Sequence, residues 1–93
     1  MKLVLPSFLK NYCERISQKY DNQSIYRITK DLPGNTLKKG DFFYLDGLHK
    51  NHLEVFRGSG KVKTTKTVLN FDGTINIKKA TQAAKEGRII TIG

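Results

Sequence analysis

Cysteine, tryptophan and long hydrophobic runs are scarce in this chain. The sequence contains one cysteine, Cys13, and no tryptophan. A single cysteine excludes an internal disulfide and any zinc site that requires a pair of thiolates. No apolar run is longer than Phe42–Leu45, which excludes a membrane-spanning helix. The N-terminal Met1–Leu5 is too short for the apolar part of a signal peptide, so none is expected here.

Acidic residues are also few, and the chain is strongly basic. Seventeen Lys and Arg face eight Asp and Glu, which gives a net charge of +9. This excess favours an anionic partner, and nucleic acid first of all. Hydrophobic residues make up 38% of the 93 residues, enough for one small core but not for two. We therefore predict a single domain over residues 1–93.

The N-terminal region has a helical spacing of apolar residues. Ser7 is a candidate N-cap, and the helix is expected to end near Asp21 and Asn22. The apolar stripe consists of Phe8, Leu9, Tyr12, Ile16 and Tyr20.

Strand-forming residues dominate the rest of the chain. They predict strands at 25–29, 42–45, 52–56, 67–71 and 88–92. Asn76 as N-cap and Gly87 as stop predict a helix over Ile77–Glu86. The predicted fold class is α+β, with an N-terminal helix packed on a small twisted antiparallel sheet and a short helix near the C-terminus.

Groups that can transfer protons are concentrated in the hairpin of residues 42–56. Strand alternation predicts that Tyr44 and Asp46 share one face with His52 and Glu54. That face is expected to point to solvent, with His49 at its edge. The opposite face would carry Phe43, Leu45, Leu53 and Val55 into the core.

These polar residues fit three interpretations: an exposed hairpin that is only solvated, a metal site, or a site for acid–base catalysis. The high positive charge disfavours a bound cation, and no metal or cofactor is predicted. RNA cleavage needs a base for the 2′-hydroxyl, an acid for the leaving oxygen, and cations near the phosphate. We expect Glu54 to be the base. The acid is His49 or, as the alternative, His52, and Asp46 would orient the His49 imidazole.

Basic and aromatic residues around this hairpin are predicted to hold RNA. Cations would contact phosphates, and an exposed aromatic ring could stack on a base. The predicted RNA-binding residues are Tyr44, Lys50, Arg57, Lys61 and Lys63.

The stretches Tyr44–His49 and Leu53–Arg57, with Phe71–Gly73 further on, resemble colicin E3-type cytotoxic ribonuclease domains. These domains occur in bacteriocins and contact-dependent inhibition proteins, and the resemblance covers roughly residues 40–73. It implies a toxin domain that cleaves 16S ribosomal RNA at the decoding site, with Arg88 as a further functional residue. It also implies delivery from a larger secreted or cell-surface protein into the cytoplasm of a target bacterium. An acidic immunity protein would then be the partner of an otherwise monomeric chain.

Two other functions stay open at the level of the sequence. One is a tRNA-cleaving toxin of the RelE and barnase-like group, which shares the expected layout of helix and antiparallel sheet. The other is a non-catalytic basic module that binds RNA. Carboxylates repel phosphate, so Asp46 and Glu54 favour an enzyme over a binding module.

Overall fold

The computed structural model describes residues 5–34, 36–45 and 52–93 of the chain. Within these ranges, six strands form one antiparallel sheet whose spatial order is the order of the sequence. No helix in the same ranges has the length and apolar character needed to cross a membrane. The elements are a 3₁₀ turn (Ser7–Leu9), β1 (Cys13–Tyr20), β2 (Gln23–Ile28), β3 (Phe42–Leu45), β4 (His52–Arg57), β5 (Val62–Asn70), α1 (Ile77–Glu86) and β6 (Ile89–Thr91).

The predicted N-terminal helix is wrong. Only the turn Ser7–Leu9 is helical there; Pro6, not Ser7, precedes it as the cap, and Cys13–Tyr20 forms a strand. The apolar spacing fitted a helix, but Cys, Ile, Ser and Tyr are weak helix formers and pair well in sheets. The fold is therefore a curled antiparallel half-barrel with one C-terminal helix, not a helix packed in front of a sheet.

The residues expected to end that helix form the turn of the β1–β2 hairpin. Asp21 and Asn22 have φ values of 48° and 65°, and Tyr20 pairs directly with Gln23 across them. A two-residue hairpin turn of type I′ needs positive φ at both central positions. Asp and Asn tolerate that conformation better than most side chains, so the pair favours a hairpin.

Several elements lie where the sequence predicts them. β3 has the predicted bounds, β4 is one residue longer, and β5 begins earlier, at Val62. Helix α1 has the predicted bounds as well. The Asn76 side chain accepts a hydrogen bond from the Lys79 N–H at 3.0 Å, and Gly87 ends the helix at φ 64°.

The two edges of the sheet meet through one side chain. Gln18 of β1 donates from Nε2 to the carbonyl oxygen of Thr91 in β6, and its Oε1 accepts from the Gly93 N–H at 2.9 Å. In a flat sheet, five strand spacings would separate these edges by about 24 Å. The sheet must therefore curl. The residues that pack together inside the curl, here called the inner face, are Ile16, Ile25, Phe42, Tyr44, Phe56, Ile90 and Ile92.

The opposite, outer face carries the larger apolar cluster. As predicted, Phe43, Leu45, Leu53 and Val55 share this face and are buried. Residues from outside the sheet cover this cluster and complete it. Each leucine side chain that is fully buried there stabilises the fold by roughly 1.5–3 kcal/mol. These covering residues are Leu9, Leu32 and Leu37.

An ion pair connects residues 36–41, the segment that contains Leu37, to strand β5. Lys66 of β5 donates from Nζ to Asp41 Oδ2 at 2.5 Å and to the Thr36 carbonyl oxygen at 2.7 Å. The Lys38 N–H donates to the same Asp41 oxygen at 2.9 Å. Residues 36–41, which have no regular secondary structure, are thereby tied to β5, the strand next to the β6 edge.

Candidate active site

Glu54 lies on the inner face, at the centre of the sheet. Its neighbours across the strands are Tyr44 on β3 and Val68 on β5. His52, two residues earlier on β4, shares its face by strand alternation. The prediction that Tyr44, His52 and Glu54 share a face agrees with this register.

The predicted solvent exposure of that face is wrong. His52 and Glu54 are each only 2% exposed, and Tyr44 is 7% exposed. Alternation along a strand determines which residues share a face, but it leaves open what covers the face. Here the sheet curls over its own inner face, so the polar residues become buried.

Helix α1 delivers a guanidinium to the buried carboxylate. Gly87 turns the chain out of the helix, and the next residue, Arg88, donates from Nη1 to Glu54 Oε1. The Arg88 carbonyl oxygen accepts from the Thr65 N–H at 3.0 Å, which fixes the backbone of Arg88 to β5. Residues 34 positions apart in the sequence thus meet in one ion pair.

A second carboxylate holds the same guanidinium. Glu86, the last residue of α1, accepts from Arg88 Nε at 2.7 Å and from Gln82 Nε2 at 3.1 Å. These hydrogen bonds hold the pKa of Glu86 below its ordinary value. The pKa of Arg88 is raised, first by its hydrogen bond to Glu86 and then by the charge of Glu54. Arg88 is therefore a permanent cation between two carboxylates.

The second oxygen of Glu54 has a different environment. Oε2 lies 3.4 Å from His52 Nε2 but accepts no hydrogen bond within the described part of the chain. A buried carboxylate oxygen without a hydrogen bond is unfavourable, because burial removes its water and nothing replaces it. Such atoms occur at sites that use them for proton transfer or ligand binding.

A ladder of aromatic rings runs beside the carboxylate. The ring of Tyr44 stacks on Tyr20 with centroids 5.1 Å apart and on Phe56 at 5.8 Å. Tyr44 is therefore enclosed, and its ring faces are already occupied by protein. The predicted site does not include Tyr20, because the apolar spacing places it in the predicted N-terminal helix. The Asp21–Asn22 turn, which pairs Tyr20 with Gln23, is the local signal for a strand at this position.

The predicted RNA-binding cations differ in their availability. Arg57 and Lys61 are exposed next to and within the β4–β5 turn. Lys63 is buried; its Nζ donates to the Gly58 carbonyl oxygen at 2.6 Å and lies 5.3 Å above the ring of Phe42. Its ammonium therefore has internal partners.

Three predicted site residues, Asp46, His49 and Lys50, lie outside the described residues. Of the predicted catalytic set, the structure brings together His52, Glu54 and Arg88. It adds Glu86, whose only signal in the sequence is its place at the end of the predicted helix, two residues before Arg88. In the described ranges, no three His, Cys, Asp or Glu side chains are grouped as a metal site would require.

Comparisons with known proteins leave this site without a described counterpart. No protein-family model, no curated protein and no solved structure matches the chain. The resemblance of residues 40–73 to colicin E3-type domains therefore stays a prediction from the sequence.

Proposed function

We propose that this chain is a metal-independent endoribonuclease in which Glu54 is the general base. The observation that carries the proposal is the asymmetry of the Glu54 carboxylate. One oxygen is fixed by Arg88, and the other lies beside His52 and accepts no hydrogen bond from the residues that the structure describes. A base needs a fixed orientation and an oxygen whose lone pairs are not already engaged in hydrogen bonds.

The proposed reaction follows from these groups. Glu54 Oε2 removes the proton of a ribose 2′-hydroxyl, and the 2′-oxygen attacks the adjacent phosphorus. The bond from phosphorus to the 5′-oxygen breaks, and an acid protonates that oxygen. The products are a 2′,3′-cyclic phosphate and a 5′-hydroxyl, so no water or cofactor is consumed.

Arg88 is suited to stabilise the charge that develops on the phosphoryl oxygens. A guanidinium has five N–H donors, and the contacts with Glu54 and Glu86 use two of them. The Arg88 side chain is 35% exposed, whereas Glu54 is nearly fully buried. Arg88 therefore supplies the solvent-facing side of the site, where a phosphate would arrive.

The position of His52 bears on the choice of the acid. His52 Nε2 lies against Glu54 Oε2, the oxygen assigned to the base. The acid must instead reach the leaving oxygen, on the opposite side of the phosphorus from the attacking 2′-oxygen. This contact supports a role for His52 in tuning Glu54, and it favours His49 as the acid, oriented by Asp46.

The biological setting rests on the sequence resemblance. We propose 16S ribosomal RNA in the cytoplasm of a target bacterium as the substrate, reached after delivery on a larger protein. The net charge of +9 supports tight binding to an acidic immunity protein, because complementary charge accelerates association. Toxicity of the free chain, relieved by co-expressed acidic partner, would support this setting.

The decisive experiment is incubation of the purified chain with ribosomes and with total RNA in EDTA, with Glu54→Gln as the matched control. One discrete 16S fragment with a cyclic phosphate end, absent with Glu54→Gln, is the expected result. Cleavage confined to tRNA would replace the substrate by that of the alternative toxin class. Binding of RNA without any cleavage would overturn the enzyme and favour the binding module.

A further inference from the structure

We propose that the exposed ring of Tyr20 is a stacking platform for a nucleobase of single-stranded RNA bound beside Glu54. The assignment of this ring to RNA rests on the proposed function. Nothing in the predicted site includes Tyr20, which stands at the end of β1, just before the hairpin turn.

The register of the sheet places Tyr20 on the same face as Glu54. Tyr20 pairs with Gln23, and two residues further along β2, Ile25 pairs with Tyr44. Tyr44 in turn pairs with Glu54. Because each pair keeps its side chains on one face, the ring of Tyr20 and the carboxylate of Glu54 both belong to the inner face.

The exposure of Tyr20 is unusual for this face. Its neighbour in the ring ladder, Tyr44, is 7% exposed, whereas Tyr20 is 38% exposed. One face of the Tyr20 ring lies against Tyr44, with ring planes 29° apart. The exposed surface therefore lies outside the ring face that Tyr44 covers.

A ring supported on one side and open on the other suits a nucleobase. Unpaired bases stack on aromatic side chains in sequence-tolerant binding of single strands. The packing of Tyr44 behind Tyr20 limits the orientations of the platform, so less ordering is required when a base arrives. A base held there would lie at the rim of the inner face, separated by the Tyr44 ring from the strand that carries Glu54.

The test uses a fluorescently labelled RNA decamer whose 2′-hydroxyls are methylated, so that the 2′-oxygen cannot attack. A second decamer of the same charge lacks its bases. Dissociation constants are measured for the unaltered chain, Tyr20→Leu and Tyr20→Phe. The matched control is Tyr26→Leu, because Tyr26 also stacks on an aromatic ring, Phe43, but belongs to the outer cluster. Thermal unfolding of each variant shows that it is folded at the assay temperature.

We expect Tyr20→Leu to weaken binding of the normal decamer about tenfold, and Tyr20→Phe and Tyr26→Leu to stay within about twofold. With the base-free decamer, Tyr20→Leu and the unaltered chain should bind equally. Equal losses on both decamers, no loss on either, or no measurable binding by the unaltered chain would overturn the platform. Cleavage of unmodified RNA is measured separately. A stacking effect without cleavage would remove the proposed function alone, and cleavage without a stacking effect would remove the platform alone.

Discussion

Two buried carboxylates are each paired with a cation that is far away in the sequence. Asp41 lies on the outer side of the sheet, and Glu54 lies on the inner face. Asp41 Oδ2 accepts from Lys66 and from a backbone N–H of its own segment. Glu54 places Oε1 on Arg88 and leaves Oε2 without a hydrogen bond among the described residues. Asp41 thus joins two parts of the fold, whereas Glu54 has one oxygen that the described residues leave without a hydrogen bond.

The cations of the two pairs also differ, both in their exposure to solvent and in their second partner. Lys66 is 17% exposed and has the Thr36 carbonyl oxygen as its second partner. Arg88 is 35% exposed and has a second carboxylate, Glu86, as partner. Loss of Asp41 would leave a largely buried ammonium without a counter-charge, whereas loss of Glu54 would leave Arg88 still paired and partly hydrated. The comparison therefore predicts that Asp41 governs stability and that Glu54 governs activity.

The largest expected effect is that of Glu54→Gln on RNA cleavage. The amide keeps an oxygen for Arg88 but cannot accept the proton, so the cleavage rate should fall by roughly 10²–10⁴. The free energy of unfolding, measured by urea denaturation, should change by no more than about 1 kcal/mol. Wild-type activity in Glu54→Gln would remove Glu54 as the base and leave Asp46 as the candidate.

The next largest effects are expected from the two histidines, whose loss should slow cleavage to different extents. His49→Ala should reduce cleavage by roughly 10²–10⁴, as loss of an acid, and His52→Ala by about tenfold, through altered tuning of Glu54. Both rates are measured on ribosomes, with circular dichroism as the check of folding. A dead His52→Ala beside an active His49→Ala would reverse the assignment, and two active variants would refute the acid–base mechanism.

Asp41→Asn should reverse the pattern of Glu54→Gln. The free energy of unfolding should fall by roughly 2–3 kcal/mol, because the Lys66 ammonium loses its buried counter-charge. Cleavage at a temperature where the variant is folded should stay near the wild-type rate. Asp31→Asn is the matched control in the same β2–β3 connection, because Asp31 is exposed and accepts a hydrogen bond at 2.8 Å from the Lys39 N–H. Equal losses in both variants would contradict the assigned role of Asp41.

The smallest effect concerns Glu86 and has a defined pH dependence. Hydrogen bonds from Arg88 and Gln82 lower the pKa of Glu86 from 4.5. A lowered folded-state pKa stabilises the fold above the unfolded value and loses that contribution as pH falls through the folded value. Glu86→Gln should therefore be slightly less stable than the wild type at pH 7, and the difference should shrink as the pH falls below 4.5 and through the lowered pKa of the folded state. A difference that stays constant as the pH falls would show that packing, not charge, is responsible.

The fold was predictable where the signals are local. Asn76 and Gly87 satisfy the ends of α1 within one turn of chain, so their chemistry alone gives its bounds. In the N-terminal region, by contrast, the spacing of Tyr12, Ile16 and Tyr20 fits a helix, and the partner strand that decides against it comes later in the chain. The sequence predicts strands individually but not the pairing energy that selects one of two local conformations.

For the candidate site, the residue types and the face that they share were predictable from the sequence. Strand alternation puts His52 and Glu54 on one face together with Tyr44. The apolar residues that alternate with them predict that the opposite face packs into the core. The burial of this polar face was not predictable in the same way, because the Gln18 contacts with Thr91 and Gly93 depend on the accumulated twist of six strands. Helix α1 and the bond between Arg88 and Thr65 of β5 bring the guanidinium to Glu54, 34 positions earlier in the sequence. No local rule predicts that contact, because it depends on how the helix and three neighbouring strands pack together.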